Sequence, residues 1–308
     1  MNFRGSREYR GSITIQFTLW GFPVSKKIII HVGHGKTGSS AIQQRLTASS
    51  EQGSSEFLYP KVGQSPDGAH HELFRAEEEV FQKLYLEIKR SSQKNIIISS
   101  ESGLPNMRHF SKRGDYKYKF FQSLSSIGKV KVVYYVRNHF EMIESAFLQY
   151  LKANNSELYS ALNMGNTDKV AVAKDALLDL YFNESIRRSD WLTVPPTRQF
   201  DYFANVVEYW GDIYGLDSII TRVYDKKILR NGDIINDFLS ILPFEIKSTY
   251  TPRLRVANPT TIYKHFPRSF LLGNEALSRI ASTFESSARS YAHMFLDAPQ
   301  SDVLLKGF

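Results

Sequence analysis

Short apolar runs alternate along this chain with longer stretches of helical period. Lys27-Ile28-Ile29-Ile30-His31 packs three β-branched residues together. A strand with one wet face would show every second position polar, so this run predicts a strand buried on both faces. Asn95-Ile96-Ile97-Ile98-Ser99 repeats the pattern, and Val130 to Val136, entered after Gly128, gives the clearest example. Ser218 to Tyr224 reads as a fourth strand. Helices are predicted from about Gly38 to Ser49 and, amphipathic and charged, from His70 to Arg90, with Leu73, Val80, Leu84 and Ile88 inward. Phe140, Ile143, Phe147 and Leu151 recur at spacings of three and four, as a helix requires. Phe200, Phe203, Val207, Trp210 and Tyr214 keep the same period until Gly215 stops it. Asp233 to Leu242 and the tail from Gly273 are also predicted helical.

Between these elements, residues 54–69 carry Pro60, Gly63, Pro66 and Gly68 and read as a loop. Residues 153–196, ending in Pro195-Pro196, read as helical pieces of a cap. Alternating strands and helices predict an α/β fold. Its central parallel sheet of about four to five strands would carry helices on both faces, with right-handed crossovers. We read residues 26–308 as a single domain preceded by an extension over 1–25. Ligands of such sheets sit at the carboxyl ends of the strands. Three groups are predicted there: the segment after Ile30, Ser99-Ser100-Glu101, and Arg137.

The first of these is Val32-Gly33-His34-Gly35-Lys36-Thr37-Gly38-Ser39-Ser40. Glycines bring backbone N–H groups close to a ligand, Lys36 adds a positive charge, and Ser39-Ser40 open a helix whose N-terminus attracts anions. This is a phosphate cradle. It is not a Walker A loop, which needs a glycine five positions before the Gly-Lys pair, where this chain has Ile30.

A strand followed by Gly-x-x-Lys-Thr-Gly-Ser-Ser resembles the 5′-phosphosulfate loop of sulfotransferases that use PAPS (3′-phosphoadenosine 5′-phosphosulfate). Arg137, ending the third strand, and Ser145 eight residues later resemble that family's grip on the 3′-phosphate. The likeness covers most of residues 26–245 and is greatest to bacterial members with a Ser-Glu after the second strand; Asp201-Tyr202 to Trp210 and Arg222-Val223-Tyr224-Asp225 also look like that group. Gly35 departs from it, because the group usually has proline there. The resemblance implies a P-loop-like sulfotransferase fold. It further implies that Gly35, Lys36, Thr37, Gly38, Ser39, Ser40, Arg137 and Ser145 bind PAPS, with PAP as product. Arg253, Arg255 and Asn258 would belong to a segment closing over the nucleotide; the plainer reading makes them exposed loop residues.

Sulfuryl transfer to an alcohol needs a base for the hydroxyl proton and positive charge for the leaving phosphate. Lys36 suits the second role and needs no metal. Glu101 is the first candidate base, resembling a Glu of glycan sulfotransferases; the plainer reading pairs it with a basic neighbour or makes it a cap. His71 and His70 come next, unless they are solvent-facing cap residues. His31 reads as a satisfied core histidine, and His34 as a loop residue touching the donor or solvent. Tyr59, Tyr150 and Trp191 are candidates to stack on a sugar ring.

Composition narrows the partners. A net charge of +8 over 308 residues, spread along the chain, suits a nucleotide, an acidic glycan or nucleic acid. No zinc knuckle, ribonucleoprotein motif or basic helix supports nucleic acid. With no cysteine, disulfides and thiolate metal sites are excluded. No apolar run is long enough to span a bilayer. Arg4, Arg7 and Arg10 before Ile13–Trp20 imitate a signal peptide, but Gln16 and the threonines interrupt it and no small-residue cleavage site follows. We read the chain as cytoplasmic, acting on the hydroxyl of a carbohydrate or glycolipid. A compact kinase, a polyanion-binding module and a catalytically silent relative are the alternatives.

Overall fold

The computed structural model describes residues 25–53, 56–101, 104–154, 157, 159–160, 196–246 and 268–308. The expected extension before Ser25, most of the expected cap, Trp191 and the segment holding Arg253, Arg255 and Asn258 lie outside these residues. The chain runs β1 (Lys26–His31), α1 (Ser39–Glu51), α2 (Glu78–Arg90), β2 (Asn95–Ser99), α3 (Tyr116–Leu124), β3 (Gly128–Val136) and α4 (His139–Asn154). It continues through β4 (Ile219–Val223), α5 (Ile234–Ile241), α6 (Arg268–Phe295) and α7 (Ala298–Leu304). The four strands form one all-parallel sheet in the order β2-β1-β3-β4. The α/β architecture with a central parallel sheet is therefore as expected.

Alternation along β1 explains the three isoleucines. Ile28 and Ile30 face a core built with Phe81, Leu84 and Ile88 of α2, Phe121 of α3, Phe147 of α4 and Phe284 of α6. Ile29 faces the opposite core, with Ile42 and Leu46 of α1 and Phe238 of α5. Helices cover both faces, so the strand needs apolar residues at successive positions. In register, His31 stands opposite Ser99 on one side and Val133 on the other. The ends of β2 and β1 are thus level, while β3 runs three residues further, to Val136. Strand order reverses about β1, which places the crevice at a topological switch point between β1 and β3.

Two elements differ from expectation. The stretch from His70 is not one helix: a 3-10 turn over His71–Phe74 ends at Arg75, Glu77 is extended, and α2 starts at Glu78. His70 causes the break. Its backbone N–H donates to the Ser99 carbonyl at 2.8 Å, and its ring lies between Pro60 and Ser99. The second difference lies between Tyr202 and Tyr214. A π-helical turn over Asn205–Gly211 interrupts the α-helical hydrogen bonding. Wider turns shift the phase, so Val206, Tyr209 and Trp210 are buried while Phe203 and Val207 are only half-buried. Asn205 is tethered at the start of that turn, accepting from Arg108 Nε at 2.9 Å and donating to the Gln199 carbonyl at 3.0 Å.

The C-terminus locks onto the same end of the sheet. Asn138 Nδ2 donates to the carbonyls of Leu304 at 2.9 Å and Lys306 at 2.7 Å, and Gln300 Oε1 accepts from Val223 N at 3.2 Å. Among the described residues no helix is long and apolar enough to cross a membrane.

Ile30, fully buried at the centre of the sheet, tests this packing. Ile30→Ala should lower stability by about 3 kcal/mol in urea unfolding with an unchanged m value; a loss under about 1 kcal/mol would mean that the β1 core is loosely packed.

Candidate active site

The turn after β1 is shaped by two close approaches. A Cβ on Gly33 would stand 2.6 Å from Ser39 Oγ and 3.0 Å from His31 Nε2. Gly38 has φ +79°, and a Cβ there would stand 2.9 Å from both Ile234 and Tyr224. Gly35 has no such role: it lies outside the left-handed region, and a Cβ there would meet nothing within 4 Å. Lys36 takes the left-handed conformation, with φ +71°. A left-handed lysine costs about 1 kcal/mol, strain of the kind that collects at ligand sites.

The hydroxyls expected to face a ligand divide into two sets. Thr37 Oγ1 donates to the His34 carbonyl at 2.5 Å, and Ser39 Oγ donates to the same carbonyl at 3.1 Å. Both are buried and brace the loop from beneath. Ser40 is exposed and donates to Glu101 Oε1 at 3.5 Å. The backbone N–H groups of Gly35, Lys36, Gly38, Ser39 and Ser40 have no hydrogen-bond partner among the described residues, and neither has the Lys36 ammonium. Unpaired amides at the N-terminus of the 13-residue α1, beside a free ammonium, form a cradle an anion would complete. The residues present fit a phosphate or phosphosulfate group.

Arg137 joins this cradle from the end of β3. Its Nη1 donates to the Lys36 carbonyl at 3.3 Å. Its Nε and Nη2 donate to Glu141 Oε2 at 3.2 and 3.1 Å, and its guanidinium lies over the Tyr224 ring. Three of its five N–H donors are engaged, and two remain for a ligand. Glu141 adds a residue to the candidate set, and its i+4 spacing from an arginine is the signal for such a pair. Ser145 is half-buried, four residues beyond Glu141 on the same face of α4, with no hydrogen bond among the described residues.

Glu101 follows β2 on the other side of β1. Burial pushes its carboxyl up to about 7, the Lys36 charge opposes this, Asp67 adds to it, and the Ser39 and Ser40 hydroxyls oppose it. Its Oε2 is buried without a partner. Lys36 is lowered in turn, first by burial, against Glu101 and with Lys152 and Arg137. Carboxyl and ammonium face one another electrostatically with no ion pair between them.

The histidines change places relative to expectation. His70, expected on the surface or near the acceptor, is fully buried: its Nε2 lies 2.9 Å from the Pro60 carbonyl, and Nδ1 accepts from Ser99 N at 3.2 Å. Burial pulls it down to about 4, so it bolts the loop to β2 and is no base. His71 is half-buried, with Nδ1 3.1 Å from Ser100 Oγ and Nε2 3.5 Å from Asp67 Oδ2, and burial lowers it. His34 is neither exposed nor at the donor surface: it is buried, 2.8 Å from the Tyr134 hydroxyl, and pulled down to about 3. His31 is core, as expected, though only half-satisfied: Nδ1 is 2.8 Å from Ser99 Oγ, while Nε2 has no partner. Tyr59 is also core, edge-on to His70 at 4.8 Å, and not a sugar platform. Tyr150's side chain lies outside the described residues.

Lys36, the α1 amides, Glu101 and Arg137 therefore surround the ends of three adjacent strands. The arrangement offers cations and unpaired amides to an anion, with a carboxyl of raised pKa at the same edge of the sheet. No family model, curated protein or solved structure matches this chain.

The raised Glu101 pKa has a stability consequence. A carboxyl that ionises near 7 when folded and near 4.5 when unfolded binds its proton more tightly in the native state. Stability from this group is full below about 4.5 and is lost as pH rises through 7. Glu101→Gln should remove that slope, raising the melting temperature relative to the parent at pH 8 and not at pH 4; equal shifts at both pH values would refute the burial of this carboxyl.

Proposed function

We propose that the chain is a PAPS-dependent sulfotransferase, transferring a sulfuryl group to a hydroxyl of a carbohydrate or glycolipid. One observation carries the reading: the Arg137 guanidinium donates to the backbone carbonyl of Lys36 at 3.3 Å, so the end of β3 brings a second cation to the turn that carries Lys36. A single nucleotide with phosphate at both its 5′ and 3′ positions matches that pair. The missing glycine at Ile30 argues against the kinase alternative.

PAPS would supply a sulfuryl group on a phosphate leaving group. The two free N–H donors of Arg137, with the Ser145 hydroxyl, would hold the 3′-phosphate. Lys36 and the first amides of α1 would offset negative charge on the leaving oxygens. Glu101 would accept the acceptor's proton. A carboxyl near 7 suits that task, because its ionised form is present at neutral pH and is more basic than an ordinary carboxylate. Transfer should accordingly rise as pH passes through about 7.

Binding and turnover separate these roles. PAP should raise the melting temperature well beyond the effect of ADP or ATP; tight ATP–Mg²⁺ binding with no response to a 3′-phosphate would end the proposal. Arg137→Ala should weaken PAP about tenfold to a hundredfold, the worth of a charged hydrogen-bonding partner. With radiolabelled PAPS and a glycan panel, Lys36→Ala should lower transfer about a hundredfold or more. Glu101→Gln should stop transfer while leaving PAP affinity intact; an active Glu101→Gln protein would move the base to His71.

A further inference from the structure

Cations also collect at the opposite edge of the sheet, where the strands begin, and the donor reading does not use them. Lys26 gathers them. Its Nζ donates to the carbonyls of Ser91 at 2.8 Å and Gln93 at 2.9 Å, which ties the turn between α2 and β2 to the start of β1. That turn runs from Arg90, the last residue of α2, to Lys94, whose carbonyl accepts from Lys27 N at 2.8 Å. Lys27 is in register with Lys129 of β3, and adjacent strands lie about 5 Å apart. Lys27, Lys89, Arg90, Lys94 and Lys129 are all exposed. Among the described residues none of them forms an ion pair with a carboxylate. Glu56 and Asp217 reach this edge through their backbone carbonyls, which accept from Asn95 Nδ2 and Lys131 Nζ. Lys26 and His31 bound β1, so roughly 17 Å of strand separates this edge from the Lys36 turn.

Cations held together without counter-charges repel one another, and an anionic partner removes that repulsion. Their arrangement selects the partner. All but Arg90 are lysines, compact point charges without the planar fork that reads a single phosphate or base. They sit at the ends of α2, β1 and β3, not along one helix that could enter a duplex groove. The sequence leading into β1 is of the same kind: Arg4, Arg7 and Arg10 precede an apolar run over residues 13–20. Basic residues joined to an apolar stretch are the two signals that hold a protein on an anionic bilayer. We propose that this edge docks on an anionic phospholipid surface, leaving the Lys36 turn open to the water. Docking of this kind is independent of the sulfotransferase reading.

Cosedimentation of the full chain with vesicles measures it. Vesicles of phosphatidylglycerol and phosphatidylcholine in equal parts should bind the chain, and pure phosphatidylcholine should not. Binding should weaken as salt is added. Arg90→Gln, Lys94→Gln and Lys129→Gln together should weaken it about a hundredfold, at about fivefold for each charge near a lipid surface. Arg90→Lys with Lys94→Arg and Lys129→Arg should keep it. Melting temperatures equal to the parent's would show that both variants fold. Should the neutral triple variant melt early, Lys94→Gln alone, weaker by about fivefold, carries the test. Parent and neutral variant binding the mixed vesicles equally would overturn the proposal and assign the binding to residues before Ser25. Binding to neither vesicle would overturn it too. So would a duplex oligonucleotide or heparin held more tightly than the mixed vesicles, which would make the edge a polyanion site.

Discussion

A strand buried on both faces and hydrogen-bonded on both edges has no freedom of register, because a slip of one residue would exchange its two cores. That constraint on β1 organises the rest. With Ile28 and Ile30 in one core and Ile29 in the other, His31 must stand level with Ser99 and Val133. The turn after β1 then begins level with the end of β2, which Glu101 follows, while β3 runs three residues further before Arg137. Residues 36, 101 and 137 come to one edge of the sheet because three neighbouring parallel strands run out there.

The site that results is held from beneath. Buried Thr37 and Ser39 both donate to the His34 carbonyl, and His34 is fixed against Tyr134 and Tyr202. Such bracing lets Lys36 remain in a left-handed conformation that an unsupported loop would relax. It also keeps the Lys36 ammonium and the Glu101 carboxyl partly dehydrated, so each stays closer to its neutral form than it would in water. A ligand bringing negative charge to Lys36 would favour its charged form. Binding and protonation at this site are therefore coupled by charge alone.

Much of the fold was legible because the relevant signals are local. Three successive isoleucines announce a doubly covered strand, and the spacing of Ile143, Phe147 and Leu151 announces a helix that buries all three. Position within an element was less legible. Nothing in His70-His71 tells which ring is buried, since that depends on Pro60 and Ser99, far away in sequence. His34 reads as a loop histidine until the Tyr134 hydroxyl, a hundred residues on, is seen beside it. The period from Phe200 to Tyr214 is a fair helical signal, but a π-helical turn beginning at Asn205, which Arg108 holds, rotates the buried set.

The sequence by itself determined the strand–turn–helix with Lys36 at its bend, the arginine closing the third strand, and the glutamate after the second. These follow from residue type and short spacing, which local sterics and hydrogen bonding settle within a few residues. Only the tertiary structure decided that Arg137 donates to Lys36 and that Glu101 loses enough water to ionise near 7. Charge interactions and burial depend on distances between segments remote in the chain. Those distances exist only once the sheet has set its register and the helices have closed over it.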